Sequence, residues 1–298
     1  MASSVTLERV VITHPEKVLF PDDGITKGEL VDYYRMIAPV MLPHIVRRPI
    51  TMERFHRGIG EKGFFQKSVT KGFPSWLERI AVPKKNGEVH HPLVTDTDSL
   101  LWLANMNSIT LHVWTARAPD LMHPDVLVFD LDPSEADDDA LRAATLLVRD
   151  ALAEIGLASV VKTSGSKGFH VVVAVDGGSD YGTCARFAHA FGAALAQRYP
   201  DTFTQEFYKA DRGRRILIDT GRNEFHATFA AAYAVRAKPG APVSAPCTWE
   251  EIKSGAVGPT SFTLRGMRDR IEKIGDVWAG LYDRPHSLGQ VMDRLRRE

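Results

Sequence analysis

Two aspartates close the segment VLVFDLDP, which has the pattern of a buried strand ended by a proline. Because strand side chains alternate between two faces, Asp130 and Asp132 point the same way and share their face with Val126 and Val128. Two carboxylates about 7 Å apart at the end of a buried strand repel each other and are costly to desolvate. A divalent cation bound by both relieves this cost, and hard oxygen ligands suit Mg²⁺ or Mn²⁺. The alternative is that Asp132 and Ser134 only cap the element that follows.

A glycine-rich turn, KTSGSKGFHVVV at 162–173, is the second candidate site. Backbone N–H groups in such a turn form an anion-binding concavity, to which Lys167 adds a charge and Ser164 and Ser166 add hydroxyl donors. His170 begins the next strand, within reach of whatever the turn binds. The turn lacks the G-K-[ST] end and the four-residue spacer of a Walker loop. The alternative is an ordinary hairpin turn with a solvated lysine and a core histidine.

A third segment, DRGRRILIDTGRN, contains three arginines before a strand that ends in an acid. Arg212, Arg214 and Arg215 precede this strand, and Asp219 lies at its end. A third carboxylate completes the ligand set of a two-metal site. By itself the segment also fits a solvated basic loop with a strand-end aspartate. Taken together, three acids, an anion-binding turn and several arginines indicate a metal-dependent nucleotidyl transferase.

The elements that position these residues follow from periodicity and from capping and turn residues. Strands are predicted at 5–12, 48–55, 123–133, 158–163, 169–175 and 214–220; helices at 25–45, 73–82, 137–156, 181–199 and 287–298; a helix running into a strand at 99–114; and a strand or a helix at 227–235. Thr26 is the expected cap of the first helix. This mixed order predicts an α+β fold with a largely antiparallel central sheet flanked by helices, and a boundary within 105–125 is possible.

The composition by itself indicates no partner. Lys plus Arg and Asp plus Glu both number 37 in 298 residues, so the formal net charge is zero. A nucleic-acid-binding surface therefore has to gather its positive charge on one face. Two cysteines are too few for a disulfide framework or a cysteine zinc site. Without a leader pattern or a run near the ~18 apolar residues of a membrane span, we expect a cytoplasmic, nucleoid-associated protein with no membrane partner.

The three motifs resemble those of the archaeo-eukaryotic primase superfamily: D-x-D at a strand end, S-G-x-x-G-x-H in a hairpin, and one aspartate on a late strand. Stretches such as HPEKVLFP, GFFQKS and VFDLDP make the chain most similar to the polymerase domain of bacterial ligase D and its stand-alone relatives. The resemblance implies one primase-polymerase domain over 1–298. Within it, 1–110 is the N-terminal part that binds DNA ends, packed on a catalytic core at 111–298, with no ligase or nuclease part.

The resemblance also implies a role for each matching residue. The expected ligands of two Mn²⁺ or Mg²⁺ ions are Asp130, Asp132 and Asp219. The expected contacts of the nucleoside triphosphate are Phe65, His112, Ser164, Lys167, Gly168, His170, Arg212 and Arg236. The expected DNA contacts are His14, Lys17 and Lys27 at a downstream 5′-phosphate, and Phe64 on a base. Two positions depart from the family pattern: His14 replaces an asparagine, and Arg222 replaces a glutamine.

The resemblance therefore implies a template-dependent repair polymerase that adds nucleotides, ribonucleotides preferred, to a primer 3′-OH at short gaps and broken ends. The expected partners are gapped or broken DNA with a 5′-phosphate, a separate DNA ligase and an end-binding repair protein. Two alternatives remain: a primase that starts strands de novo, and an end-binding module whose catalysis has decayed. The intact acids and hairpin motif argue against decay, because unbound buried acids only lower stability.

Overall fold

A computed structural model describes residues 9–84 and 86–297, which form an α+β fold. Its strands are β1 (Val18–Phe20), β2 (Ile25–Thr26), β3 (Ile50–Arg54), β4 (Phe64–Gln66), β5 (Arg79–Lys84), β6 (Gly87–Pro92), β7 (Ser108–Val113), β8 (Val126–Pro133), β9 (Val160–Thr163), β10 (Phe169–Ala174), β11 (Phe203–Thr204), β12 (Ile216–Asp219), β13 (Phe229–Ala230), β14 (Ala234–Val235), β15 (Val243–Ser244) and β16 (Pro246–Cys247).

The helices alternate irregularly with these strands. They are α1 (Lys27–Ile45), α2 (Thr97–Asn105), α3 (Asp138–Glu154), α4 (Tyr181–Arg198), α5 (Lys209–Arg212), α6 (Trp249–Ser254), α7 (Met267–Ile274) and α8 (Leu288–Leu295), and a 3₁₀ turn spans Gly221–Asn223. Within the described ranges, no helix combines the length and the apolar character that crossing a membrane requires.

The central sheet has six strands in the order β11-β12-β8-β10-β9-β16. β11 and β12 run parallel, and every other neighbouring pair runs antiparallel. Leu127, Phe129 and Leu131 of β8 are buried in one apolar cluster with residues of α3 and α4. This arrangement confirms the predicted α+β class with its antiparallel central sheet and flanking helices.

A second sheet, β13-β7-β3-β4, lies on the other side of the central sheet. Val126 and Val128 of β8 share a second buried cluster with residues of β7 and α1. Because side chains alternate along a strand, the face of β8 that carries Asp130 and Asp132 turns toward this second sheet. The predicted sharing of one face by the two acids and the two valines is therefore confirmed.

Helix α1 begins where the sequence predicted, at a capping box. The Thr26 hydroxyl accepts the Glu29 N–H at 3.2 Å, and the Glu29 carboxylate accepts the Thr26 N–H at 3.0 Å. The buried Tyr34 hydroxyl then donates to the Ile109 carbonyl at 2.7 Å. This bond fixes α1 against β7, a strand of the second sheet.

Three expectations about elements need correction or limits. The predicted helix at 73–82 is wrong: turns lead into β5, which pairs with β6 over six residue pairs from Arg79↔Pro92 to Lys84↔Gly87. Pairing with β6, a contact made further along the chain, satisfies the backbone of this segment and overrides its helical pattern. The strand predicted at 5–12 lies partly outside the described residues, and 9–12 form no strand. The ambiguous segment 227–235 contains two short strands, β13 and β14.

Candidate active site

The strand register brings the three motifs side by side. Asp130 on β8 is paired with His170 on β10 and with Asp219 on β12, and Asp132 is paired with Leu217. Neighbouring strands lie about 4.8 Å apart, so Asp130 and Asp219 are direct neighbours on one face of the sheet. Motifs separated by 89 positions in the sequence therefore form one row at the end of three adjacent strands.

Both glycines of the turn between β9 and β10, Gly165 and Gly168, are required for steric reasons. A Cβ atom on Gly168 would lie 1.7 Å from the Leu131 carbonyl oxygen, which makes any side chain impossible without moving β8. Gly165 has a φ of +63°, in the left-handed region that favours glycine. The turn is thus pressed directly against the strand that carries Asp130 and Asp132.

The Ser164 hydroxyl shapes this turn. It accepts the N–H groups of Ser166 and Gly168, each at 3.1 Å. Two of the N–H groups that a bound anion was expected to use are therefore bonded within the turn. Lys167 at the tip of the turn is exposed, so the positive charge available to an anion here comes mainly from its side chain.

Two arginines bond to the three carboxylates. Arg222 contacts Asp130 through Nε and Asp219 through Nη2, both at 3.2 Å. Arg212 contacts Asp132 at 2.9 Å and is only 4% exposed. Its remaining donors bond to the backbone carbonyls of Glu206 and Phe207, so that its guanidinium is bonded on three sides.

Burial and these contacts shift the pKa values of Asp130 and Asp219 in opposite directions. Burial opposes ionisation of Asp130, but the contacts with His170 and Arg222 hold the pKa of this carboxyl well below its usual range. For Asp219, burial and the nearby charge of Asp130 raise the pKa despite Arg222. Burial and Lys162 lower the pKa of His170 to about 4. The imidazole is therefore neutral at pH 7, and Arg222 is the cation that keeps Asp130 ionised.

The row of acids and the turn open onto one cavity of about 380 Å³. Its lining contains ten of the predicted site residues: His112, Asp130, Asp132, Ser164, Lys167, Gly168, His170, Arg212, Asp219 and Arg236. The structure thus brings these residues together, whereas the functional role of each stays a prediction.

Three buried polar atoms around this cavity have no hydrogen-bond partner: His112 Nδ1, His170 Nδ1 and Arg236 Nε. A buried polar atom left unbonded costs about 1–3 kcal/mol, so the cavity wall offers unused bonding capacity to a polar ligand. Arg236 also donates from Nη1 to the Ser164 carbonyl at 2.7 Å, which ties β14 and its following loop to the turn. Burial and the nearby Arg236 lower the pKa of His112 to about 3, so its ring is neutral at pH 7.

The two adjacent phenylalanines of β4 point to opposite sides. The Phe65 ring, 65% exposed, lies edge-on to His112 with centroids 5.5 Å apart. The Phe64 ring, 38% exposed, lies 5.0 Å from His56 and beneath the Arg54 guanidinium at 5.5 Å. Phe65 is therefore next to a residue of the cavity wall, whereas Phe64 is next to His56 and Arg54.

The three residues predicted to bind a 5′-phosphate lie outside the cavity. The Lys27 ammonium donates to the Thr13 hydroxyl at 3.1 Å, and the Lys17 ammonium donates to the His56 carbonyl. Burial and the charge of Lys17 lower the pKa of Lys27, which indicates that the two lysines are close. His14 is exposed, with a φ of +50° and its ring 3.5 Å from the Glu16 carboxylate.

The sequence matches the family described as LigD, primase-polymerase domain, over residues 26–278, most of the chain. The chain belongs to this LigD primase-polymerase family. It is 34% identical over 277 residues to the multifunctional non-homologous end joining protein LigD of Mycolicibacterium smegmatis, covering 92% of this chain and 36% of that protein. It is 26% identical over 295 residues to the bifunctional LigD of Bacillus subtilis, covering 97% of this chain and 47% of that protein.

Among solved structures, the polymerase domain of ligase D from Mycobacterium tuberculosis in complex with DNA matches with a TM-score of 0.88 and 31% sequence identity. The match covers 94% of this chain and 100% of that one. The chain spans between a third and a half of the length of the two LigD proteins compared above. Fold and family together make it a primase-polymerase of the nucleotidyltransferase type.

A nucleotidyltransferase polymerase domain of the LigD family implies a nucleotide substrate and divalent metal ions, and the carboxylate oxygens of the acid row are donors of the type that such ions prefer. Asp130, Asp132 and Asp219 present hard oxygen ligands on one face, and a positive charge already lies beside each of them. In the part of the chain that the structure describes, no three His, Cys, Asp or Glu side chains are arranged to hold a metal. The guanidinium groups of Arg212 and Arg222 instead make the cationic contacts.

Several residues of this LigD-type site were missed by sequence reasoning. Asn223 is buried and bonds to both backbone groups of Val128, accepting from its N–H at 2.8 Å and donating to its carbonyl at 2.7 Å. Phe207 and Tyr208, both 71% exposed, lie before Arg212, and Phe207 lines the cavity. The adjacency of Asn223 to the third motif was a usable signal, whereas the exposure of Phe207 has no local sequence signature.

Proposed function

We propose that this chain is a template-dependent DNA-repair polymerase of non-homologous end joining, which adds nucleotides to a primer 3′-OH at short gaps and broken ends. The observation that carries the proposal is the single cavity shared by the acid row and the glycine-rich turn. Membership of the LigD primase-polymerase family supports it, and so does the DNA complex of the Mycobacterium tuberculosis domain.

In this proposal Asp130, Asp132 and Asp219 hold two Mg²⁺ or Mn²⁺ ions. When bound, such ions lower the pKa of a 3′-hydroxyl and stabilise the leaving pyrophosphate. The carboxylates suit this role because Asp130 is ionised at neutral pH and its neighbours Asp132 and Asp219 open on the same side. Bonds within the turn, together with the pairing of β10 with β8, keep the phosphate contacts at a fixed distance from these acids.

The triphosphate is bound by the positive and polar groups of the cavity wall. We infer that Lys167 and Arg236 neutralise its charge, with Arg212 at the edge of the acid row. Ser164, Gly168 and His170 line the wall beside them, and the unpartnered His170 Nδ1 is available to a phosphate or hydroxyl oxygen. Charge-assisted hydrogen bonds of this kind are each worth about 1.5–3 kcal/mol.

The base and sugar of the incoming nucleotide bind to residues of the second sheet, Phe65 on β4 and His112 on β7. Phe65 offers a ring face for stacking, a contact that tolerates any base. His112 Nδ1 is buried and unpartnered beside it, and the neutral ring can bond to a sugar hydroxyl. We therefore propose a preference for ribonucleotides, which extension rates with paired ribo- and deoxyribonucleotides test. Equal rates, or faster addition of deoxyribonucleotides, contradict it.

The downstream end of a gap binds to the N-terminal part, 1–110. Lys17 and Lys27 supply two close positive charges for a 5′-phosphate, His14 lies beside them, and Phe64 stacks on a base. The first turn of α1 begins at Lys27, and its dipole favours an anion, although its N–H groups are already bonded: Lys27 to the Lys17 carbonyl, Gly28 to the Pro15 carbonyl and Glu29 to the Thr26 hydroxyl. The proposed cellular partners are a separate DNA ligase and an end-binding repair protein at the nucleoid.

Primer extension on a gapped duplex tests this function. The reaction contains Mn²⁺ or Mg²⁺, and the downstream strand carries a 5′-phosphate or a 5′-hydroxyl. Templated addition that is faster on the phosphorylated gap supports the proposal. The same products without a primer indicate a primase that starts strands de novo, and gap binding without any addition indicates an end-binding module.

A further inference from the structure

Arg222 lies where two carboxylates from different strands meet. Its Nε contacts Asp130 Oδ2 and its Nη2 contacts Asp219 Oδ2, both at 3.2 Å. Burial opposes the charge of this guanidinium, but Asp130 and Asp219 raise its pKa, so it is charged throughout the physiological range. One side chain thus bridges the two acids that are directly paired across β8 and β12.

The backbone beneath Arg222 is fixed, whereas its side chain is not. The next residue, Asn223, is buried and bonds to both backbone groups of Val128 and to the Thr220 carbonyl. The Arg222 side chain itself is 40% exposed, and its one further bond, to the Thr228 carbonyl, is long at 3.5 Å. The guanidinium can therefore leave the acids by side-chain rotation alone.

Arg212 gives the contrast within the same site. It is 4% exposed and bonds to two backbone carbonyls as well as to Asp132. Moving its guanidinium breaks several buried bonds and requires the loop that precedes it to shift. Of the two arginines at the acid row, Arg222 is the one whose guanidinium can leave its acids while breaking only one long bond to the backbone.

We propose that Arg222 occupies a cation position between Asp130 and Asp219, and that it must leave these carboxylates when a divalent metal ion binds there. The inference rests on the proposed two-metal function of the acids. A guanidinium and a divalent ion that share the same two oxygens repel each other, so both cannot be bound at once. Arg222 therefore weakens metal binding in the absence of substrate.

The released guanidinium remains in the cavity, because Arg222 is part of its lining. The anionic group that enters this cavity with the substrate is a phosphate, and arginine binds phosphate oxygens through its planar fork. A bound nucleotide thus gives Arg222 a new partner and frees the acid pair. Nucleotide and metal should accordingly bind with positive coupling that depends on this side chain.

Direct measurement of Mn²⁺ binding by electron paramagnetic resonance tests the proposal. The proteins are the wild type, Arg222→Gln, and Arg198→Gln as the matched control. Arg198 forms a two-bonded pair with Glu154 between the C-terminal ends of α4 and α3, so the control removes the same charge from a surface ion pair. Each protein is titrated with and without a non-hydrolysable nucleoside triphosphate.

Without nucleotide, Arg222→Gln should bind Mn²⁺ about tenfold more tightly than the wild type, as expected for losing a partly exposed charge-assisted bridge. Arg198→Gln should match the wild type. The nucleotide analogue should tighten Mn²⁺ binding to the wild type more than to Arg222→Gln. If the variant folds poorly, Arg222→Lys, which keeps the charge but cannot bond to both acids at once, should show an intermediate affinity.

Equal or weaker Mn²⁺ binding by Arg222→Gln overturns the inference while leaving the metal site intact. An Asp130→Asn protein separates this failure from a failure of the proposed function. If Asp130→Asn binds Mn²⁺ as well as the wild type does, the acids are not the metal ligands, and both proposals are wrong.

Discussion

The charged side chains of the acid row, Asp130, Asp132 and Asp219, and those of the N-terminal lysine pair, Lys17 and Lys27, have different kinds of partner. At the acid row, guanidinium groups bond to Asp130, Asp132 and Asp219 at 2.9–3.2 Å. Lys17 and Lys27, in contrast, donate only to neutral oxygens of His56 and Thr13, and no ion pair of either lysine occurs in residues 9–84 and 86–297. In the described residues, the acids of the first region are paired with guanidinium groups at contact distance, whereas the two lysines contact no carboxylate directly and only the more distant charge of Glu16 acts on Lys27.

The difference agrees with the ligand proposed for each region. A site that exchanges one cation for another needs acids that are held in place beside a positive charge, and the arginine contacts supply this. A site for a phosphate needs positive charge that no carboxylate competes for. Strand β4 separates the two regions, because Phe65 lies against His112 of the cavity and Phe64 lies against His56, whose carbonyl bonds to Lys17.

The largest effect should come from the acid row. Asp130→Asn should lower primer extension by at least about 10³-fold, because a neutral amide cannot hold the metal that activates the 3′-hydroxyl. Gap binding should remain close to that of the wild type. Asp150→Asn, on the exposed surface of α3, is the matched control and should extend normally. Extension by Asp130→Asn near the wild-type rate would assign catalysis to other residues.

A substitution of Lys167 tests whether the glycine-rich turn binds the nucleotide on which the acid row acts. Lys167→Ala should raise the KM for the nucleotide about tenfold, since it removes one exposed charge-assisted contact with the triphosphate. Affinity for gapped DNA without nucleotide should stay the same. Lys253→Ala, an exposed lysine in the last turn of α6, is the control. A loss of DNA affinity with an unchanged KM for the nucleotide would indicate that the turn binds DNA and not the triphosphate.

The two phenylalanines of β4 allow a reciprocal test. Phe65→Ala should raise the nucleotide KM about fivefold, and Phe64→Ala should weaken gap binding about fivefold, each by the loss of one stacking contact. Each variant is the control for the other, because they lie on opposite faces of the same strand. Both substitutions affecting the same parameter would contradict the separation of the two regions.

A smaller effect should come from the titration of Lys27. Its pKa is lowered by burial and by Lys17, and only the protonated ammonium attracts a phosphate. Raising the pH through this lowered pKa therefore removes one charge. The affinity advantage of 5′-phosphorylated over 5′-hydroxyl gaps should fall about threefold as the pH rises from neutrality toward the ordinary lysine pKa of about 10.4.

Gaps with a 5′-hydroxyl are the internal control for this titration, because they lack the phosphate and should show no such trend. An advantage that stays constant over the whole pH range would exclude Lys27 from the phosphate contact. An equal affinity for both gap ends at every pH would exclude the lysine pair as a phosphate site.

Sequence reasoning succeeded where local periodicity and capping determine structure. The alternation of VLVFDLDP correctly placed Asp130 and Asp132 on the face of Val126 and Val128, and the Thr26 cap and the hairpin at 158–175 are confirmed. The helix predicted at 73–82 failed because its pattern is overridden by pairing with β6, a contact made further along the chain.

The charge contacts of the site could not be predicted, because they depend on which strands become neighbours. Arg222 reaches Asp130 only since β12 pairs with β8, a contact between segments 92 positions apart in the sequence. Likewise, the Ser164 hydroxyl was expected to serve a ligand, but the turn uses it for two of its own N–H groups. Both contacts depend on the tertiary fold, which brings a long or rotatable side chain next to a partner that the local sequence does not reveal.

The central claim is that the acid row catalyses nucleotide addition and the N-terminal lysines hold the gap end. Extension and binding measured together on one 5′-phosphorylated gapped duplex test it most directly, with Asp130→Asn and Lys17→Gln compared with the wild type. The account predicts that Asp130→Asn binds the gap but does not extend it. Lys17→Gln should bind more weakly, yet extend at a rate near that of the wild type once the DNA is saturating. Extension retained by Asp130→Asn, or lost by Lys17→Gln at saturating DNA, would contradict the claim.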